Sequence, residues 1–248
     1  MQKIKNITIA FFTSLIFFSP LKAADMPVSI SAEYFGCKFD ENKDFGDLNR
    51  FVNKWNKWMD EGNWNNYTGN ILTPLYKSPN DEIDFLWVGN TKTITEMALG
   101  QSAYRKSNLA SAFPAKSCLY SMRARQLVVQ DINEDETWNG DEFVVAYHYC
   151  SLKEGKSIED AFNAQKSRLE IWRALGDSRG ARIVLPSHGS GPLMGDTDFV
   201  LLMSHASLEK WGNNLDNFYG RELDNPTAEV FSCKNPVLYT GQTIREQI

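Results

Sequence analysis

The sequence predicts an α+β protein made of two tandem copies of one β-α-β-β-α-β unit. Three observations carry that prediction: an internal repeat, the same succession of apolar periodicities in each copy, and one pair of cysteines per copy. The repeat is read by laying Glu33-Tyr34-Phe35-Gly36-Cys37 on Ala146-Tyr147-His148-Tyr149-Cys150. At the same offset Asp47 falls on Asp160. With a drift of a residue or so, Thr73-Pro74-Leu75-Tyr76 then meets Leu185-Pro186-Ser187-His188, Asp84-Phe85 meets Asp198-Phe199, and Ser117-Cys118 meets Ser232-Cys233. The shared order and nearly constant spacing weigh more than any single match.

Each copy opens on a strand, Ser29 to Cys37 and Glu142 to Cys150. In the second of these Phe143, Val145, Tyr147 and Tyr149 alternate onto one face. An amphipathic helix follows. Its stripe is Phe45, Leu48, Phe51, Val52, Trp55, Trp58 and Met59 in copy one, and Ile158, Ala161, Phe162, Leu169 and Trp172 in copy two. Asp44 and Ser157 suit the N-cap, with Asp47 and Asp160 three residues on, where an acid favours the positive end of the helix dipole. Two strands come next, near Tyr67–Tyr76 and Ile83–Val88, then Arg179–Leu185 and Asp198–Met203. A second helix is expected over Thr91–Tyr104 and over Ser207–Phe218, where Leu208, Trp211, Leu215 and Phe218 form a stripe. A last strand carries Cys118 or Cys233. This order is the split βαβ, or ferredoxin-like, unit. The expected boundaries are 24–130 and 142–248, joined by a polar linker at 131–141.

Four cysteines allow three pairings. Each copy has one cysteine ending its first strand and one in its last, and those strands are neighbours in a ferredoxin-like sheet. The expectation is therefore Cys37–Cys118 and Cys150–Cys233, both structural. Neither a C-x-x-C spacing nor an odd cysteine points to a metal or a reactive thiol, and no metal site is expected.

The N-terminus fixes the expected compartment. Lys3 and Lys5 precede an apolar run from Ile7 to Phe18 that is too short to span a bilayer, followed by Leu21-Lys22-Ala23-Ala24. That is the pattern of a secretory signal, with cleavage expected after Ala23 and a secreted or periplasmic mature protein without membrane attachment. Residues 1–23 contain three lysines and no acid, so their removal moves the formal charge from −5 to −8. An acidic domain is a poor match for nucleic acid or anionic membrane.

The element order, the duplication and the long Trp- and Phe-bearing helix together resemble the dimeric α/β-barrel superfamily. Its antibiotic-biosynthesis-monooxygenase-like and NIPSNAP-like members pair ferredoxin-like units around a cavity. The resemblance implies that residues 29–240 form a pseudo-dimeric α/β barrel within one monomeric chain. It transfers no active-site residue onto a numbered position, because fold does not carry function. The disulfides depart from the usual cytosolic members.

Candidate chemistry is sparse. The histidines, His148, His188 and His205, all fall in copy two. His148 shares a strand face with Val144, Ala146 and Cys150 that could line the space between the sheets, as a haem or metal ligand, a general base or a packed interface histidine. His188 lies in the loop-like Pro186-Ser187-His188-Gly189-Ser190-Gly191-Pro192, without a nucleophile elbow. His205 precedes the second helix. Asp84 and Asp198 recur before a strand phenylalanine, as ligand groups, bases or strand-end residues. Trp55, Trp58, Trp64, Trp87, Trp172 and Trp211 are either core or the lining of an aromatic cavity. His148, Tyr76 and Trp87 are the candidate ligand contacts. The leading expectation is a non-catalytic module binding a small apolar or aromatic ligand between its halves, with no cofactor predicted. The alternatives are a cofactor-free oxygenase or haem-using enzyme, and an envelope interaction protein.

Overall fold

Strands and helices alternate in the computed structural model, which describes residues 27–77, 82–132, 142–190 and 197–246. The expected signal segment 1–23 and all of the linker except Asp131 and Ile132 lie outside them. The first part of the chain runs β1 (Ser29–Cys37), α1 (Phe45–Glu61), β2 (Thr68–Pro74), β3 (Phe85–Thr91), α2 (Ile94–Lys106), a 3₁₀ turn (Asn108–Ala112) and β4 (Cys118–Gln130). The second runs β5 (Phe143–Leu152), α3 (Ile158–Ala174), β6 (Gly180–Ser190), β7 (Phe199–His205), α4 (Leu208–Phe218), β8 (Phe231–Cys233) and β9 (Val237–Arg245).

The helix starts follow from capping chemistry. Asp44, Thr93 and Ser157 each accept the backbone N–H three residues on, and Asp47, Glu96 and Asp160 return the bond to the cap amide. Each reciprocal pair satisfies two donors that the first turn would leave unbonded. Helix α1 then buries Leu48, Phe51, Val52, Trp55 and Met59 on one stripe. Helix α2 buries only Met97, so it rides above the sheet instead of sealing against it.

All strand pairings are antiparallel. The order β4-β1-β3-β2 in the first half is matched by β9-β5-β7-β6 in the second, and the seams β4–β6 and β2–β9 close eight strands into a barrel. The short β8 pairs with β5 beyond the end of β9, so the expected last strand of the second half is split at Lys234–Pro236. The strand pleat then sorts the side chains. Tyr34, Leu86, Val88, Phe143, Val145, Tyr147 and Tyr239 fill the barrel, while the alternate residues face outward under the helices as two separate cores. The face of β5 that bears His148 therefore lies under α3 and α4, and the large apolar set faces the barrel. This reverses the expected assignment: closure of the sheet turns Phe143, Val145 and Tyr147 inward and Val144, Ala146 and Cys150 outward into the core beneath the helices.

Both disulfides form as expected. Cys37–Cys118 and Cys150–Cys233 join directly paired strand residues and close sequence separations of 81 and 83. Two aspartates brace these corners. The Asp84 amide donates to Cys37 O and the Asp198 amide to Cys150 O. Their carboxylates accept from Phe39 N at 2.8 Å and from Leu152 N at 2.7 Å, in each case two residues past the cysteine. No described helix is long and apolar enough to cross a membrane.

Candidate functional site

Cavities open in the barrel and beneath the helices of each half. The barrel is packed at one end by tyrosines, with Tyr34 edge-on to Tyr147 and Tyr147 edge-on to Tyr239. Burial pushes the Tyr34 hydroxyl up to about 12. At the other end a cavity of about 580 Å³ is bordered by both halves, including Asn70, Val88, Gln126, Val145 and Arg182. There Arg182 donates to Gln126 at 2.8 Å and Gln126 donates to the Tyr34 hydroxyl at 2.6 Å.

The first-half cavity, about 260 Å³, lies between the outward face of β1 and β3 and the helices α1 and α2. Its walls are aromatic: Trp55, Trp58 and Met59 from α1, Trp64 and Tyr67 from the segment before β2, Trp87 from β3, and Tyr104 from α2. Into this apolar space β1 places Glu33, only 7% exposed. Tyr67 donates to Glu33 Oε1 at 2.8 Å and itself accepts from Trp87 Nε1 at 2.8 Å, while Gln101 donates to Glu33 Oε2 at 2.5 Å. Burial drives this carboxyl above its ordinary range, against the two hydrogen bonds and the positive charge of Arg123, its register partner on β4. Gly89 makes the arrangement fit. A Cβ there would stand 1.8 Å from the Tyr67 hydroxyl, so only a residue without a side chain lets Tyr67 cross β3 to reach Glu33.

The second-half cavity, about 480 Å³, lies under α3 and α4 and has the opposite electrostatics. The guanidinium groups of Arg168 and Arg179 stand 4.7 and 4.4 Å from the Trp172 ring centre. Arg179 is paired with buried Asp177 at 2.5 Å. Arg168 donates to Thr227 Oγ1 at 3.1 Å, and its Nε is buried without a partner. His148 and His205 line the same space. Burial, reinforced by the arginines, lowers both imidazoles to about 4, so they are neutral at ordinary pH. Asn214 lies 3.1 Å from His205 Nδ1.

The sequence-derived candidates are thus distributed and not gathered. Trp87 lines the first cavity, and His148 with the exposed Tyr76 lines the second. Asp84 and Asp198 hold the disulfide corners, Asp84 in an ion pair with Lys77. His188 is exposed and belongs to β6, paired with Arg123 of β4, with Ser187 Oγ 3.1 Å from its Nδ1. The expected loop there is a strand through Ser190. His205 is the buried last residue of β7, just ahead of α4. Of the six candidate tryptophans, Trp55, Trp58, Trp64 and Trp87 converge on the first cavity and Trp172 and Trp211 on the second. Glu33 was missed. Its signal was a lone acid on the strand face shared with Phe35 and Cys37. Among the described residues no three His, Cys, Asp or Glu side chains are grouped to hold a metal ion.

No family model and no curated protein matches the sequence. Solved structures do match the fold. A candidate chlorite dismutase superposes with a TM-score of 0.52 at 11% identity, covering 87% of this chain and 95% of the other. A candidate monooxygenase from Lactobacillus acidophilus NCFM gives 0.51 at 10%, covering 88% and 94%. The chlorite dismutase of Candidatus Nitrospira defluvii, solved with imidazole, gives 0.51 at 9%, covering 87% and 92%. The closed eight-stranded α+β barrel is therefore a fold that this chain shares with these structures. At these identities the likeness extends to the fold alone.

Proposed function

We propose that the chain is an exported, monomeric small-molecule-binding protein, built by duplication of a ferredoxin-like unit, whose ligand sits in the aromatic cavity of the first half. Duplication is supported by the identical strand order of the halves and by the matched corners at Asp84 and Asp198. A monomer is favoured because the two seams already pair the strand edges that a single unit would offer to a second copy. Export is favoured by the two disulfides, which persist in oxidising compartments.

The observation that carries the reading is Glu33. Burying a carboxylate among tryptophans is costly, and hydrogen bonds from Tyr67 and Gln101 fix this one in the cavity lining. Enclosed apolar walls with one fixed polar anchor are the usual make-up of a small-molecule site, and the volume lies just below the ~300–1,000 Å³ typical of such sites. The sequence placed this ligand between the halves. The first-half cavity is preferred because the barrel is partly filled by tyrosines. Native mass spectrometry of protein purified from its exported form, beside its denatured mass, tests the reading. A retained organic molecule, lost from Glu33→Gln or Trp87→Ala protein, is expected. A bare mass, together with tryptophan fluorescence that no small aromatic compound perturbs, would sink it.

A second reading follows from the second cavity, whose donor set fits haem. His148 is neutral and free of a carboxylate, and Arg168, whose buried Nε has no partner, is suited to a propionate. His148 would hold the iron, which would supply redox chemistry toward an oxygen species. A Soret band on purified or haem-titrated protein, abolished in His148→Ala, is expected on this reading. Its absence removes it.

A further inference from the structure

We infer that the first-half cavity is a cage for an organic cation, a quaternary or otherwise substituted ammonium group carried on a small apolar body. The inference rests on the reading of that cavity as the ligand site and names the chemistry of its ligand.

Two independent features lead to it. The first is ring geometry. Trp55 and Trp87 meet at 90° with centroids 4.9 Å apart, Trp55 and Tyr67 at 67° and 5.4 Å, and Trp58 and Tyr104 at 74° and 6.2 Å. Rings set nearly perpendicular turn their faces in different directions around the cavity they line. Ring faces are the negative pole of the aromatic quadrupole, and such boxes recognise substituted ammonium groups. The second feature is charge. The carboxylates of Glu33 and Glu96 line the cavity, and among its described lining residues there is no lysine or arginine.

Glu33 accepts one hydrogen bond on each oxygen, which leaves acceptor capacity on both, since an ionised carboxylate offers about four lone-pair sites. Glu96, nearer the rim, caps α2 through Thr93 and accepts from Asn66 at 2.9 Å. The charged group that opposes a cation is Arg123, on the neighbouring strand and outside the lining. A neutral apolar ligand would leave the Glu33 charge offset only by Arg123 on the neighbouring strand, and an anion would be repelled by both acids. A cation supplies the missing charge and takes cation–π attraction that a neutral body of the same shape does not.

Affinity is then coupled to protonation. Because the empty cavity raises the Glu33 carboxyl, cation uptake favours its ionised form. Binding weakens as pH falls through that raised value and releases protons there.

The test compares matched probes on the full, disulfide-bonded chain: tetramethylammonium and benzyltrimethylammonium against their neutral carbon isosteres, neopentane and neopentylbenzene. Binding is followed by tryptophan fluorescence and calorimetry in two buffers of different ionisation enthalpy. At least one cation is expected to bind tenfold or more tightly than its isostere. That preference should collapse in Glu33→Gln, with a folded near-ultraviolet spectrum as control. Isosteres that bind as well as the cations overturn the cage and leave the small-molecule site standing. If neither series binds, both readings fall. The wild-type comparison decides the matter even if Glu33→Gln does not fold.

Discussion

The two halves share one register and have opposite chemistry. In the first, Cys37 pairs with Phe85, Phe35 with Trp87 and Glu33 with Gly89. In the second, Cys150 pairs with Phe199, His148 with Leu201 and Ala146 with Met203. Step for step along the matching ladders, an acid opposite a glycine in the first half stands where the second has an alanine opposite a methionine. The glycine admits the Tyr67 hydroxyl to the acid, whereas the methionine occupies that space, and Arg179 Nη1 lies 3.6 Å from its sulfur. One pair of positions thus decides whether the space under the helices takes an acidic anchor. A fold shared by both halves leaves the sign of each cavity to a handful of outward-facing strand residues.

The contrast is broken most forcefully at Gly89. Gly89→Ala drives a Cβ into Tyr67, leaving Glu33 without one donor and misplacing an aromatic wall. Overpacking together with a lost buried hydrogen bond is expected to cost about 3 kcal/mol. The loss should be measured by denaturant unfolding and concentrated in the amide protection of β1 and β3. A variant of wild-type stability would show that Tyr67 does not depend on that close approach.

Acidification should drive the halves in opposite directions. His148 and His205 lie at about 4 when folded against an ordinary 6.5, through burial and then the nearby arginines. Their contribution is complete above 6.5 and is lost as pH falls toward 4, because the unfolded chain takes up those protons first. Glu33 acts the other way. Its raised carboxyl binds a proton sooner in the folded chain, so the first half gains as pH falls through that value toward 4.5. From pH 7 to 5, hydrogen exchange corrected for intrinsic rates should show β5 and β7 losing roughly 1–2 kcal/mol of protection, with discount for residual solvent access. β1 and β3 should hold or gain. Equal losses in both halves would refute the assignment.

Where the halves agree, the effects should be small and matched. Asp84→Ala and Asp198→Ala each remove one carboxylate–amide bond at a disulfide corner, for about 1 kcal/mol apiece. Thermal unfolding of the two variants should shift alike. A large excess at either site would indicate a role beyond bracing.

Much of this architecture was legible in the sequence because it is written in local rules. Alternation over Phe143–Tyr149 and the caps at Asp44 and Ser157 depend on neighbours within a turn or a strand, and the cysteine pairing, though it joins residues 81 and 83 apart, is legible through the repeat. The direction a strand face points is not local. His148 and its companions were placed toward the barrel, and only the closed sheet reveals that the larger apolar set is needed inside. Glu33 escaped notice for the same reason, since its importance comes from Tyr67, Trp87 and Gln101, brought from three separate elements. The strand nature of His188 depends on pairing with β4 across a seam, which no window around Pro186–Gly191 contains.

The seam between β2 and β9 also sets the order in which the molecule can be completed. Asn56 on α1 donates to the carbonyl of Ile244, 188 residues further along the chain. Contacts so distant in sequence form late, because a long loop must be closed before they return any energy. The first half can fold its helices and close Cys37–Cys118 while β2 still lacks one neighbour, and the sheet becomes a ring when β9 arrives. A chain shortened before Val237 would keep a largely native first half with β2 as a bare edge open to pairing with other chains. The strand β9 therefore acts as a completeness check, hiding that adhesive edge in finished molecules and leaving it exposed in truncated ones.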